Sequence, residues 1–257
     1  MTILALVPAQ RVPAGTVVAE PDPESVVAAL LALGTHEPVL VVAGDAAGYD
    51  AARAARLVLG SEHVGALLHD VPPTAFFVSV AALQALPTIA LGLAPSVLEG
   101  VAQDTRTAAL LSSVTSLERP RPSVALDLAS RLPGSVFRVD WTAQSVARAP
   151  ELDLPSGVAV ITTASERPVA PVDASGWGSG RVELTTDGSF WGAKRWFEAT
   201  VLLRPLETMV EERLSPSAVS VLPRCVSCTR LVTGTLCLFC HVHVPSGTSP
   251  VPTGGHV

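Results

Sequence analysis

Between residues 3 and 68 the apolar positions fall into short continuous blocks separated by stretches with helical character. Residues 3–7 form an apolar run of strand length. After a proline-rich loop, Asp22, Pro23, Glu24 and Ser25 open a helix, with Asp22 placed to cap it and Pro23 suited to its first turn. Gly34 ends that helix. Residues 37–43 are apolar and β-branched, the composition of a strand buried on both faces, as a parallel sheet requires. Gly44 and Asp45 turn the chain, residues 46–59 are alanine-rich and helical up to Gly60, and residues 63–68 supply a third strand. The order β-α-β-α-β predicts an α/β fold with a Rossmann-like, doubly wound parallel sheet and flanking helices.

The rhythm continues with a longer helix over residues 96–111, a proline-rich link at 118–122, a helix at 123–132 and strands at 135–140 and 157–163. Residues 164–180 read as a loop. Two further strands, 181–186 and 196–203, suggest a hairpin around Asp187 and Gly188, and a helix follows over 205–214. No internal repeat at a fixed period is found.

With 257 residues, 48% hydrophobic and 16% charged, the chain has the composition of a globular protein able to bury a core. Seventeen Lys and Arg against 23 Asp and Glu give a net charge of −6, which disfavours nucleic acid and anionic membrane surfaces as partners. The only lysine is Lys194, a usage that points to a GC-rich coding sequence of a bacterium or phage. Residues 71–98 carry no charge and are long enough to span a bilayer. Pro72, Pro73, Pro87 and Pro95 divide the stretch into pieces of globular length, so it reads as buried core. The amino terminus has no positive region before its short apolar run, which predicts a first strand and a cytoplasmic location.

The strongest chemical signal is Cys225 and Cys228 followed by Cys237 and Cys240, which uses every cysteine in the chain. Two Cys-x-x-Cys knuckles bring four thiolates to tetrahedral corners, with residues 231–235 forming a short hairpin that aims one knuckle at the other. Two disulfides or an iron-sulfur centre use the same residues and are less suited to this context. Over residues 222–243 the chain resembles the zinc-ribbon superfamily. That resemblance implies a structural Zn²⁺ held by Cys225, Cys228, Cys237 and Cys240, in a module that mediates contacts or stabilises a terminus. Thr229 and His241 stand where the familiar knuckle carries glycine, which predicts looser local hydrogen bonding. The organisation expected is an α/β domain over 1–120, a continued α/β or α+β region with an aromatic hairpin over 121–212, the ribbon over 213–243, and a disordered tail over 244–257.

Gly44 and Asp45 follow a strand and open a helix, the position where doubly wound folds bind phosphate. The spacing is not that of a dinucleotide fingerprint, no Walker lysine is present, and Asp45 reads better as a helix cap. His69 and Asp70 lie at a strand's carboxyl end, where they could form an acid/base pair or a polar turn. Trp177, Phe190, Trp191, Trp196 and Phe197 cluster as a small β core or as an interface. With no complete catalytic motif, the sequence favours a non-catalytic zinc-binding component of an assembly, with other proteins as partners and a possible homo-oligomer. The alternative is a small-molecule or nucleotide-binding enzyme using Gly44, Asp45, His69 and Asp70.

Overall fold

A computed structural model describes residues 2–244, except residues 9, 10, 35, 36, 61, 133 and 187. The expected tail, apart from Val244, and Asp187 of the expected hairpin lie outside the described residues. Strands β1 (Thr2–Leu6), β2 (Val17–Val18), β3 (Val39–Ala43) and β4 (Val64–Leu68) form a wholly parallel sheet in the order β2-β1-β3-β4. Helices α1 (Pro23–Leu33) and α2 (Ala46–Leu59) connect them, capped by Asp22 and Asp45 and closed by Gly34 and Gly60 at positive φ. Leu4, Leu6, Val41 and Ala43 share one apolar cluster with Val26, Leu30, Ala51 and Ala55 of these helices.

A parallel sheet needs its second face covered as well. Here Ile3, Ala5, Leu40 and Val42 join the largest cluster of the molecule, with Phe76, Val80 and Leu83 of α3 (Pro73–Gln84). A helix apolar on all sides is a buried helix, and α3 lies between this sheet and a second one. The uncharged stretch 71–98 thus resolves into α3, a 3-10 turn (Thr88–Leu93) and the start of α4 (Ala94–Gln103). Among the described residues no helix is long and apolar enough to cross a membrane.

The second half departs from the expected continuation. The helix over 96–111 stops at Gln103, and β5 (Thr105–Leu111) runs instead through the middle of a second sheet. Thr105 and Thr107 favour extended backbone, and Ala108, Ala109, Leu110 and Leu111 are buried on both faces. The remaining strands are β6 (Phe137–Asp140), β7 (Ser145–Arg148), β8 (Gly157–Ala164), β9 (Gly178–Leu184) and β10 (Trp196–Leu202). Their order is β7-β6-β5-β10-β8-β9, and every pairing is antiparallel except β8 with β9. The expected hairpin therefore does not form. All seven residues of β10 are buried, which suits a central strand, whereas β9 is mostly exposed and takes an edge. Because β5 belongs to this sheet, the changeover falls at Asp104 and not at the proline-rich link. Helices α5 (Val124–Ser130), α6 (Leu206–Leu214) and α7 (Pro216–Ser220) complete the described helices.

Candidate functional site

Loops and helix N-termini of a parallel α/β sheet gather at the carboxyl ends of its strands, the usual place for a ligand. Here that edge borders a cavity of about 620 Å³. Leu6, Val7, Val18 and Val71 supply its aliphatic wall, Phe76 of α3 its floor, and Phe190 of a 3-10 turn (Ser189–Trp191) brings an aromatic ring from the second half of the chain. Charged groups enter the lining at Arg11, Glu20, Asp45 and Asp70, and Arg11 donates to Ser189 Oγ at 2.9 Å.

Three of the four residues singled out in the sequence line this cavity. Gly44 is a packing requirement: a Cβ there would sit 2.7 Å from Val7 Cγ1. Asp45 Oδ1 accepts from Gly48 N–H at 2.7 Å, capping α2. Asp70 pairs with Arg119. His69 points elsewhere, into a second cavity of about 260 Å³, with Nε2 2.8 Å from Ser79 Oγ. Burial lowers its pKa to about 4, so the imidazole is neutral near pH 7. Adjacent residues leaving a strand face opposite ways, and His69 and Asp70 accordingly find different partners.

Glu198 escaped the sequence reading. It sits on β10, wholly buried, and reaches across to the N-terminus of α3. Its Oε1 accepts from Thr74 N–H at 2.7 Å and from the Thr74 hydroxyl, and Oε2 accepts from Trp191 Nε1–H at 2.6 Å. Burial pushes its pKa above the ordinary carboxylate range, against the opposing pull of those donors. Hydroxyls of Thr74, Thr200 and Thr107 continue the chain, each contact at 2.7 Å. A single acid inside the run 196–203, whose one other polar residue is Thr200, beside the aromatic cluster, was the available signal.

The four cysteines cluster at metal-binding distance, their Sγ atoms all within 4.8 Å of one another. Sulfurs about 2.3 Å from a tetrahedral zinc stand slightly under 4 Å apart, and the closest Sγ pairs here are 3.4 and 3.6 Å. The knuckles are tight where looseness was expected. Thr229 and His241 adopt the glycine conformation at φ of 60° and 54°, and their amides donate to Cys225 and Cys237 carbonyls at 2.9 and 3.0 Å. The segment packs against the first sheet: Ala66 N–H donates to Leu238 O at 3.4 Å, and the Phe239 ring lies 3.0 Å from where a Gly65 Cβ would be.

No protein-family model and no curated protein sequence matches the chain. Among solved structures it is similar to a DegV family protein from Eubacterium eligens loaded with heptadecanoic acid, at a TM-score of 0.56 and 12% identity, covering 79% of this chain and all of that one. It is also similar to a DegV family protein from Corynebacterium glutamicum, at a TM-score of 0.50 and 11% identity, covering 79% of this chain and 98% of that one. These likenesses establish a DegV-like α/β fold. They also overturn the expected assembly component with protein partners, since one such neighbour was solved loaded with a fatty acid. The physical reason agrees: the surfaces meant for docking face inward. Phe239, Leu231 and Val232 of the cysteine segment belong to the main core, and Trp191 and Trp196 are buried in the second sheet.

Proposed function

We propose that the chain binds a long-chain acyl or alkyl lipid in the cavity at the carboxyl edge of the first sheet. The observation that carries this reading is the cavity itself, about 620 Å³ and walled by aliphatic and aromatic side chains from both halves of the chain. That volume lies in the range of roughly 300–1,000 Å³ typical of small-molecule sites. The fold supports the choice of ligand, since a protein of this fold was solved with heptadecanoic acid. In this reading residues 213–243 carry a zinc ribbon joined to the main core, whose Cys225, Cys228, Cys237 and Cys240 hold a structural Zn²⁺ and keep the segment against β4.

Native mass spectrometry of the purified chain tests both parts. The expected mass exceeds that of the polypeptide by a zinc ion and an acyl or alkyl lipid. Val18→Trp, which fills the cavity, is expected to lower lipid retention about tenfold or more while the zinc stays bound. A wild-type chain that neither retains a lipid nor takes up added long-chain ligand would sink the lipid reading.

A further inference from the structure

The second cavity has no part in the lipid reading. It lies between α3, α4 and β5, measures about 260 Å³, and among the described residues shares only Val71 with the first cavity. An apolar cavity of about 150 Å³ is large enough for benzene, so this one has room for a ring with a small polar substituent. Its walls are neutral: His69 is uncharged near pH 7, and the other lining residues are apolar, hydroxyl or amide side chains. An ion entering here would lose its hydration and meet no opposite charge.

Two places in the lining have hydrogen-bonding capacity that the protein does not use. His69 and Ser79 share one contact, Nε2 to Oγ at 2.8 Å, and neither side chain makes another hydrogen bond among the described residues. A neutral imidazole carries one N–H and a serine one O–H. One contact consumes one of them, so in either tautomer the pair keeps a donor for a ligand. On β5, Thr107 lines the cavity and ends a chain of hydroxyls that runs through Thr200 and Thr74 to Glu198. Thr74 N–H and Trp191 Nε1–H can only donate to that carboxyl group, so its protonation alone sets the direction of the chain. An ionised Glu198 draws each hydroxyl proton towards itself and leaves Thr107 Oγ1 as an acceptor. A protonated Glu198 donates to Thr74 Oγ1, turns the chain round and leaves the Thr107 O–H as a donor.

We propose that this cavity is a second binding site, independent of the lipid cavity, for a small uncharged molecule with a primary amide group. The amide carbonyl accepts from the His69–Ser79 pair, and because an amide has both a donor and an acceptor it pairs with Thr107 in either direction of the chain. Titration of the full chain with benzamide, benzoate and benzylamine at neutral pH, followed by ligand-observed NMR, tests this. Benzamide is expected to bind about tenfold or more tighter than the two ions. Thr107→Val and His69→Phe, each removing one hydrogen bond, are expected to weaken benzamide about tenfold. Ala102→Trp closes the cavity from an exposed position on its rim and is expected to abolish binding without disturbing the core. Val18→Trp, which fills the first cavity, is expected to leave benzamide affinity unchanged. Absence of benzamide binding, benzoate binding as tightly, or affinity that Ala102→Trp leaves intact would overturn the proposal and leave the lipid reading standing. Loss of benzamide in Val18→Trp would place the probe in the first cavity and overturn it equally.

Discussion

The two sheets bury their central strands in different ways. Every residue of β3 is buried and apolar, from Val39 to Ala43. β10 is buried along its whole length too, yet it carries Glu198 and Thr200, and its neighbours add Thr107, Thr162 and Thr163. A buried hydroxyl or carboxyl left without a partner costs about 1–3 kcal/mol. The second sheet can hold Glu198, Thr200 and Thr107 because α3 brings Thr74 and the 3-10 turn brings Trp191 to the same point, whereas Thr162 Oγ1 is buried without a partner among the described residues. Burial alone stabilises any packing that covers the right face. Hydrogen bonds of this kind stabilise only one, so α3 is located more narrowly by the second sheet than by the first.

The comparison is most easily broken at the outer edge of the first sheet, because β4 is covered by the cysteine segment and is not self-contained. On the proposed zinc reading, replacing Cys225 and Cys237 with serine, or treating the chain with a strong chelator, is expected to cost about 4 kcal/mol or more, since these cysteines and their neighbours Leu231, Val232 and Phe239 belong to the main core. Thermal unfolding with and without chelator measures this. Hydrogen exchange locates it, with protection lost at β4 before β10. Equal loss at both strands would mean that the two sheets are not separately stabilised.

A sharper version uses one glycine. A Cβ on Gly92 would lie 1.9 Å from Leu231 O, a backbone atom that cannot swing away. Gly92→Ala is expected to cost about 3 kcal/mol, at the upper end of overpacking effects, and to weaken zinc retention as the segment is pushed off. Urea unfolding together with zinc release detects the two consequences, and a destabilised variant with unchanged zinc affinity would separate the ribbon from the sheet.

These contrasts also explain what the sequence disclosed. Within the first sheet each strand, cap and stop is local: Asp22 and Asp45 lie three residues from the amides they accept, and the four cysteines span sixteen positions. The second sheet is assembled from distant partners, with Leu202 registered against Thr105, so no window of sequence contains the pairing. Periodicity therefore mistook β5 for the end of a helix and joined β9 to β10. The first sheet's side of the cavity was legible in Gly44, Asp45 and Asp70, but the wall supplied by the second half of the chain was hidden for the same reason. Arg11 and Ser189 meet across 178 residues, and nothing near either residue announces the other.

Glu198 gives the comparison a pH dependence. Its ordinary value is 4.5, and burial raises it in the folded state. Between those two values the folded chain holds a proton that the unfolded chain has released, so stability is full at low pH and falls as pH rises through the folded pKa. Asp22 and Glu212, whose pKa values are lowered by Ser25 and Arg204, act in the opposite direction. The difference between wild type and Glu198→Gln isolates the buried acid. Urea midpoints from about pH 5 to about pH 8 are expected to decline in wild type relative to the variant; parallel curves would show that Glu198 titrates as it does in the unfolded chain.

The smallest effects come from a reciprocal exchange. Thr200→Val keeps the shape of β10 but removes the hydroxyl that joins Thr74 to Thr107, while Thr74 retains its bond to Glu198. Thr107 is the group left wanting, and the expected cost is about 1 kcal/mol. Val41→Thr places the same hydroxyl in the first sheet, where the surrounding cluster of Leu30, Ala51 and Ala55 is wholly apolar, and should cost about 2 kcal/mol. Chemical denaturation of the two variants compares them directly. If Val41→Thr were the milder change, a hydroxyl would be no better accommodated between α3 and the second sheet than under α1 and α2. The contrast between a sheet placed by burial and one placed by hydrogen bonds would then fail.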